Sequence, residues 1–228
     1  MAPRRTEHHR VRYLDHGHTL RTPPGGRRCV YDVDMTTSPT GVHPTDDLPR
    51  ATFTSFEGST SDDWSIIASQ LPITQALAGE NIIEQLRMLE RDHGGFPVSR
   101  LEHSLQTAAR AEEDGRDEEY VLCALLHDIG DTLAPYNHPS IAAGILKPFV
   151  SAANHWMVEH HGIFQGYYFW HHLGMDRDAR DRFAGHEFYE YTEEFCAKYD
   201  QTAFDPDYTS PTLAHYEPLI RRFFVPDR

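Results

Sequence analysis

A histidine and an aspartate stand side by side at the end of the most apolar stretch of this 228-residue chain. The stretch runs from Tyr120 to Leu126, and His127 and Asp128 follow it directly. Burying both polar side chains without partners would cost several kcal/mol. A metal ion removes that penalty, because imidazole and carboxylate groups are both metal ligands. The pair therefore predicts a metal site.

Other histidines and aspartates fall where they could reach the same site. In chain order they are His103, His138, the pair His160-His161, and Asp200 with Asp205 as its alternative. His103 precedes His127 by 24 residues, which is enough for one helix, a short loop and an antiparallel return. His138 follows the pair across a short turn. The spacing predicts one cluster, in which Asp128 could bridge two ions with its two oxygens.

The donor types limit the metal but not the reaction. Cys29, Cys123 and Cys196 are few, odd in number and without a CxxC spacing, which argues against a disulfide framework or a zinc ribbon. Any ligands must then be imidazoles and carboxylates, a set that suits iron, manganese or zinc. Ligand type alone does not choose between an oxygenase and a hydrolase.

Helices are the elements that must position these residues. Apolar side chains recur with helical spacing in two segments between Ser61 and Leu89, separated near Gly79. Further helices are predicted over Ser99 to about Asp114, Asp117 to Ile129, Pro139 to Leu146, Pro148 to His160, Arg177 to Phe183, Phe188 to Tyr199 and Thr212 to Phe224. No run alternates with period two, so we predict an all-α bundle with the segment from Asp117 to Ile129, the most apolar one, at its centre.

Composition excludes several classes of partner. Acidic residues outnumber basic ones 35 to 21 and the pI is near 5.5, so we expect a small-molecule substrate and neither nucleic acid nor a membrane as partner. With no apolar run long enough to cross a bilayer and no apolar secretory segment, we expect a cytoplasmic protein.

Residues 1–60 are rich in Arg, His, Pro, Thr and Gly and lack an apolar period, which predicts a disordered extension before a catalytic domain at 61–228. A translation start at Met35 instead of Met1 is a further hypothesis.

The order His, His-Asp, His, His, Asp resembles the HD-domain superfamily from about Ile82 to Asp200. Two stretches, 101–106 and 124–130, are similar to the branch of mixed-valent diiron oxygenases that includes phosphonate-degrading oxygenases and myo-inositol oxygenase. The resemblance implies an HD-domain helical bundle with a dinuclear centre between its helices. Two irons, as an Fe(II)/Fe(III) pair, and dioxygen as co-substrate would then be expected.

The same resemblance implies a ligand set, carried over motif by motif. Asn137-His138-Pro139, Glu159-His160-His161-Gly162 and Lys198-Tyr199-Asp200-Gln201 match the last three motifs. They favour His161 over His160, as the residue just before the chain leaves its helix, and Asp200 over Asp205. The implied ligands are His103, His127, Asp128, His138, His161 and Asp200.

The resemblance implies an oxygenase that oxidatively cleaves a C–P or C–C bond of a small hydroxylated substrate, with phosphonates among the candidates. HD phosphohydrolases often carry a lysine three residues after the aspartate, where this chain has Asp131, and this favours the oxygenase. The alternative is a metal-dependent phosphohydrolase acting on a nucleotide or phosphate monoester. A non-catalytic scaffold ranks last, because all six ligand positions are filled.

Substrate-contacting positions depart from the phosphonate-degrading pattern. Phe96 stands where similarity implies a glutamate, and Gln165 where it implies a lysine, so a 2-aminoethylphosphonate-like substrate would lose two charged partners. The aromatic run 164–170 could hold a trimethylammonium group against its rings or could simply pack the core. The candidate substrate-binding residues are His93, Phe96, Arg100, Gln165 and Tyr168.

Overall fold

The structure is a computed structural model that describes residues 44–225, and every regular element in this range is helical. The α-helices are α1 Ser61–Ala76, α2 Ala78–Leu89, α3 Arg100–Glu113, α4 Glu118–Leu126, α5 His138–Leu146, α6 Ala152–Phe169, α7 Tyr189–Phe195 and α8 Leu213–Phe223. The prediction of an all-α fold is confirmed over these residues. None of the helices described is both long and apolar enough to cross a bilayer.

Residues 44–60 contact α1, although the sequence placed them in a disordered extension. Thr52 N and Thr60 N each donate to the Asp63 carboxylate at 2.9 Å, and Thr60 caps the helix in return. Phe53 stacks on Trp64 with ring centroids 6.1 Å apart. A capping box and an aromatic pair therefore connect this segment to α1, although its sequence has no apolar periodicity. The rest of the predicted extension, and the hypothesis of a start at Met35, lie outside the described residues.

Caps fix both ends of α3. Ser99 Oγ accepts a hydrogen bond from Glu102 N at 3.1 Å. The helix thus begins where the sequence predicted its start. At the other end Gly115 adopts a φ of 76°, and Arg116 N donates to Ala111 O at 3.1 Å. This is the pattern of a left-handed glycine cap, and it returns the chain antiparallel into α4.

The centre of the bundle is α4. All seven residues from Tyr120 to Leu126 are buried, and α3, α6 and α8 pack around the helix. The prediction that the most apolar segment would be central is confirmed. Because the helix ends at Leu126, His127 and Asp128 follow it in the middle of the protein, where both side chains are buried.

The helix α6 is longer than predicted, and the prediction that it ends at His160 is wrong. It continues to Phe169, so His161 lies in its interior. Two glycines in this part serve as sites of close approach: a Cβ on Gly162 would lie 3.3 Å from the Pro139 ring, and one on Gly166 would overlap the Trp170 ring. At these two positions neighbouring side chains pack directly on the helix backbone.

A π-helical turn, Cys196–Asp200, continues α7 and brings Asp200 to the centre of the bundle. Its backbone hydrogen bond runs from Gln201 N to Cys196 O at 3.0 Å, one residue longer than in an α-helix. Short 3-10 turns at 56–58, 170–173 and 179–183 complete the elements of the described chain.

Gly130 lets the start of α5 approach the end of α4. A Cβ at this position would lie 2.8 Å from His138 O and 2.9 Å from Ile141 Cβ, which no real contact allows. We expect Gly130→Ala to destabilise the protein by about 1–3 kcal/mol through overpacking. The midpoint of urea unfolding, followed by circular dichroism, measures the change.

Gly144→Ala is the matched control, because Gly144 lies on exposed α5 surface with nothing within 4 Å of the added Cβ. This replacement should be neutral or stabilise the helix by about 0.5–1 kcal/mol. Equal unfolding midpoints for the two variants would show that the close approach at Gly130 has no energetic importance.

Candidate metal centre

Asp128 lies at the middle of a group of four histidines. Its Oδ2 is 3.4 Å from Nε2 of both His103 and His127. Its Oδ1 is 3.2 Å from Nε2 of His138 and 3.0 Å from Nε2 of His161. Each carboxylate oxygen thus faces its own pair of imidazoles, so the two sides of Asp128 define two half-sites.

Asp200 lies on the first of these half-sites. Its Oδ1 is 3.3 Å from Nε2 of His103 and 3.7 Å from Nε2 of His127, and it also accepts a hydrogen bond from Gln165. Its other oxygen is buried and has no hydrogen-bond partner in the described structure. A buried carboxylate oxygen without a partner is costly, and a cation beside it would remove that cost.

Backbone carbonyls fix the orientation of three of the histidine rings. Nδ1 of His103 lies 2.9 Å from Ala203 O, Nδ1 of His127 lies 2.8 Å from Ala124 O, and Nδ1 of His161 lies 2.7 Å from Val158 O. A carbonyl can only accept, so each Nδ1 carries the proton and donates it. In the neutral ring Nε2 is then a bare lone pair.

These lone pairs face other acceptors. The Nε2 atoms of His103 and His127 lie 3.1 Å apart, and carboxylate oxygens of Asp128 and Asp200 surround them. Lone pairs directed at one another repel unless a cation lies between them. A ligating histidine whose second nitrogen donates to a carbonyl is the usual arrangement at protein metal sites.

The electrostatics of the cluster favour positive charge. Burial by itself lowers the pKa of His127, but the charge of Asp128 and the contact with Asp200 outweigh it and raise this pKa to about 9. Burial likewise raises the pKa of Asp128 and of Asp200, yet the neighbouring histidines outweigh burial and hold both below the usual range. The metal-free site would therefore hold protons where cations could bind.

The donor atoms fit two metal ions. Three triads each bring their donor atoms within 4.8 Å of one another: His103, His127 and Asp200; His127, Asp128 and His161; and Asp128, Asp131 and His138. The triads share members, as expected for two adjacent ions rather than separate sites. Together with the unpartnered oxygen of Asp200, this geometry is suitable for binding metal ions.

Asp131, in the third triad, occupies an outer position. Its Oδ1 lies 3.0 Å from Nδ1 of His138, on the side of the ring opposite Nε2, and its Oδ2 lies 2.8 Å from Nη1 of Arg100. Burial and then the charge of Asp128 raise the pKa of Asp131. Its contacts suit a carboxylate that orients a metal-binding histidine. Sequence reasoning used Asp131 only to argue against a hydrolase and missed this contact.

The two alternatives that the sequence left open lie apart from the cluster. His160 donates from Nδ1 to Trp156 O at 2.9 Å, and its ring stacks on Trp156 at 4.1 Å. The exposed Asp205 accepts from Asp207 N at 2.9 Å. The structure therefore brings together all six side chains of the implied ligand set and neither alternative.

A cavity of about 270 Å³ opens beside Asp128. Its lining residues are Phe96, Arg100, Asp128, Gln165, Tyr168, Phe169, Gln201 and Phe204. Four of the five candidate substrate-binding residues lie on this lining, while the exposed His93 does not.

Among the lining residues, Phe204 is the one that lies outside the candidate residues, the motifs and the aromatic run identified in the sequence. Phe204 stacks on His103 at 4.2 Å and on Phe96 at 5.2 Å, so one ring connects a histidine of the cluster to the cavity wall. The position of Phe204 just after Asp200 was the available signal. Within the aromatic run 164–170, Tyr168 and Phe169 line the cavity, while Phe164 is buried in the core.

Two comparisons with known proteins bear on this site. The HD domain family matches residues 100–198. A relative, the 1-hydroxy-2-(trimethylamino)ethylphosphonate dioxygenase (glycine-betaine-forming) of Leisingera caerulea, is 41% identical over 64 residues, which are 26% of this chain and 33% of the relative. The match thus spans about a third of that relative's length. Residues 100–198, which carry the buried His-Asp pair within the helical fold, thus match the HD domain.

Proposed function

We propose that this protein is an iron-dependent oxygenase that oxidatively cleaves a C–P or C–C bond of a small hydroxylated substrate. The observation that carries the proposal is the two-sided arrangement around Asp128, with a pair of histidine Nε2 atoms on each carboxylate oxygen. The similarity to a phosphonate dioxygenase supports oxidative chemistry. So does Asp131, since it stands where HD phosphohydrolases often carry a lysine.

In this proposal the ligands divide between two irons. His103, His127 and Asp200 would hold iron on one side of Asp128, and His138 and His161 on the other, with Asp128 itself among the ligands. The iron pair supplies the redox chemistry with dioxygen when it is bound. The protein holds the rings through their Nδ1 atoms, orients the substrate in the adjacent cavity, and keeps bulk water away with the aromatic wall.

The cavity lining suggests what the substrate carries. Four residues of the lining are aromatic: Phe96, Tyr168, Phe169 and Phe204. Phe96 stands where the resemblance to phosphonate-degrading oxygenases implies a glutamate, which would pair with a primary ammonium group. Aromatic faces attract quaternary ammonium groups. The relative, by its name, acts on a hydroxylated phosphonate with a trimethylamino group. We therefore propose a small hydroxyphosphonate bearing a trimethylammonium group as the substrate class.

Metal analysis and oxygen dependence test this function directly. We expect the purified protein to hold about two irons per chain and to turn over hydroxyphosphonates only when oxygen is present. Inductively coupled plasma analysis and an oxygen electrode provide the measurements. Zinc or manganese in the site, with phosphate released from phosphate monoesters under anaerobic conditions, would instead establish a metal-dependent phosphohydrolase.

Paired substitutions test the ligand assignment. Asp200→Asn and His161→Gln should each lower the iron content and reduce turnover by about a hundredfold or more, because each removes a donor from a buried site. Asp205→Asn and His160→Gln are the matched controls, since both side chains lie away from the cluster. Normal iron content in the first two variants would exclude Asp200 and His161 as ligands.

Proton competition should make metal binding depend on pH. In the metal-free protein the pKa of His127 is raised to about 9, so below that pH an ion must displace a proton. We expect the affinity for Fe(II) to increase by up to about tenfold per pH unit between about pH 7 and about pH 9. Anaerobic competition with a chelator, corrected for its own protonation, measures this. An affinity independent of pH would contradict a proton-bearing His127.

A further inference from the structure

We propose that Arg100 binds the acidic group of the substrate, as the cation of the cavity beside the metal centre. This inference deepens the proposed function and rests on it, because it assumes that the cavity is the substrate site. Among the lining residues within 44–225, Arg100 is the only one with a positive charge. A tetrahedral oxyanion such as a phosphonate would meet its guanidinium there.

Two positions that would supply a cation in related proteins do not do so here. Position 131, where HD phosphohydrolases often carry a lysine, holds an aspartate, and position 165, where phosphonate-degrading enzymes imply a lysine, holds a glutamine. Gln165 instead donates to the carboxylate of Asp200. An anionic substrate therefore depends on a cation from another element, and α3 supplies it at its first residue.

The guanidinium is held in place but keeps free donors. Nη1 of Arg100 lies 2.8 Å from Oδ2 of the buried Asp131, and the group stacks over the Phe96 ring at 4.6 Å. A Cβ at Gly94 would lie 3.0 Å from Nη2, so the preceding loop packs closely on the same group. Nε of Arg100 is buried and has no hydrogen-bond partner in the described structure. The Arg100 side chain is 22% exposed, so its outer guanidinium donors can reach an oxyanion in the cavity.

The pair with Asp131 connects this subsite to the metal centre. One oxygen of Asp131 contacts Arg100 and the other contacts Nδ1 of His138, whose Nε2 faces Asp128. A substrate anion at Arg100 would compete with Asp131 for the guanidinium. Asp131 therefore weakens anion binding, and its removal should strengthen it.

Binding of methylphosphonate to the iron-loaded protein, measured anaerobically by titration calorimetry, tests the inference. We expect the Kd to increase about tenfold to a hundredfold in Arg100→Gln, the cost of a lost charged hydrogen bond. Arg100→Lys should give a smaller increase, because an ammonium group lacks the two-pronged geometry. Asp131→Asn, which keeps an acceptor for His138 but frees the guanidinium, should lower the Kd.

Arg110→Gln is the matched control. Arg110 lies on the same helix and also stacks over an aromatic ring, Tyr208, at 4.2 Å, but it does not line the cavity. Its Kd should stay within about twofold of the original value. In Arg100→Gln the buried Asp131 carboxylate loses its cation, which could prevent folding. The double variant Arg100→Gln/Asp131→Asn removes that charge, and it should also bind methylphosphonate weakly.

Unchanged methylphosphonate binding in both Arg100→Lys and the double variant would overturn the inference. Metal content and oxygen consumption, measured on the same samples, separate this outcome from failure of the proposed function. A protein that holds zinc and consumes no oxygen would refute the proposed oxygenase. If its methylphosphonate binding were still lost on replacement of Arg100, the oxyanion subsite would stand on its own.

Discussion

The structure is organised around a set of hydrogen-bond acceptors that face one another inside an apolar bundle. Backbone carbonyl oxygens accept hydrogen bonds from Nδ1 of His103, His127 and His161. The Nε2 lone pairs of these rings are then directed at the carboxylates of Asp128 and Asp200. Such an arrangement is stable only when positive charge occupies its centre. Every element that packs around α4 contributes either a donor atom or the apolar surroundings that prevent water from filling the site.

The proposed ligands reach the centre from different parts of the helices. His127 and Asp128 arrive because the central helix ends inside the protein, and His138 because Gly130 allows the next helix to approach. His161 arrives from the interior of a long helix whose register holds its ring on the carbonyl of Val158. The site is thus assembled from helix ends and helix faces together, and the rings are oriented by the backbone before any substrate enters.

The sequence predicted the parts of this architecture that depend on local composition. The central helix and the adjacent His-Asp pair follow from an unbroken apolar run, and the start of α3 follows from the Ser99 cap. The length of α6 was not predicted, and the close approach of its Gly162 to the Pro139 ring joins segments distant in the sequence, which composition does not encode. The role of Phe204, and the Arg100 contact with Asp131, are products of tertiary folding for the same reason.

The π-helical turn before Asp200 has a consequence for how this centre tolerates insertion and deletion. In the turn, the buried Tyr199 points away from the cluster and its hydroxyl contacts Asp114 and Arg116, while Asp200 points into the cluster. An α-helix advances about 100° per residue, so loss of one residue from the turn would rotate the carboxylate away and bring a neighbour to its place. The identity of the final donor therefore depends on chain length as much as on residue type, because one residue gained or lost in this turn would take the Asp200 carboxylate out of the cluster.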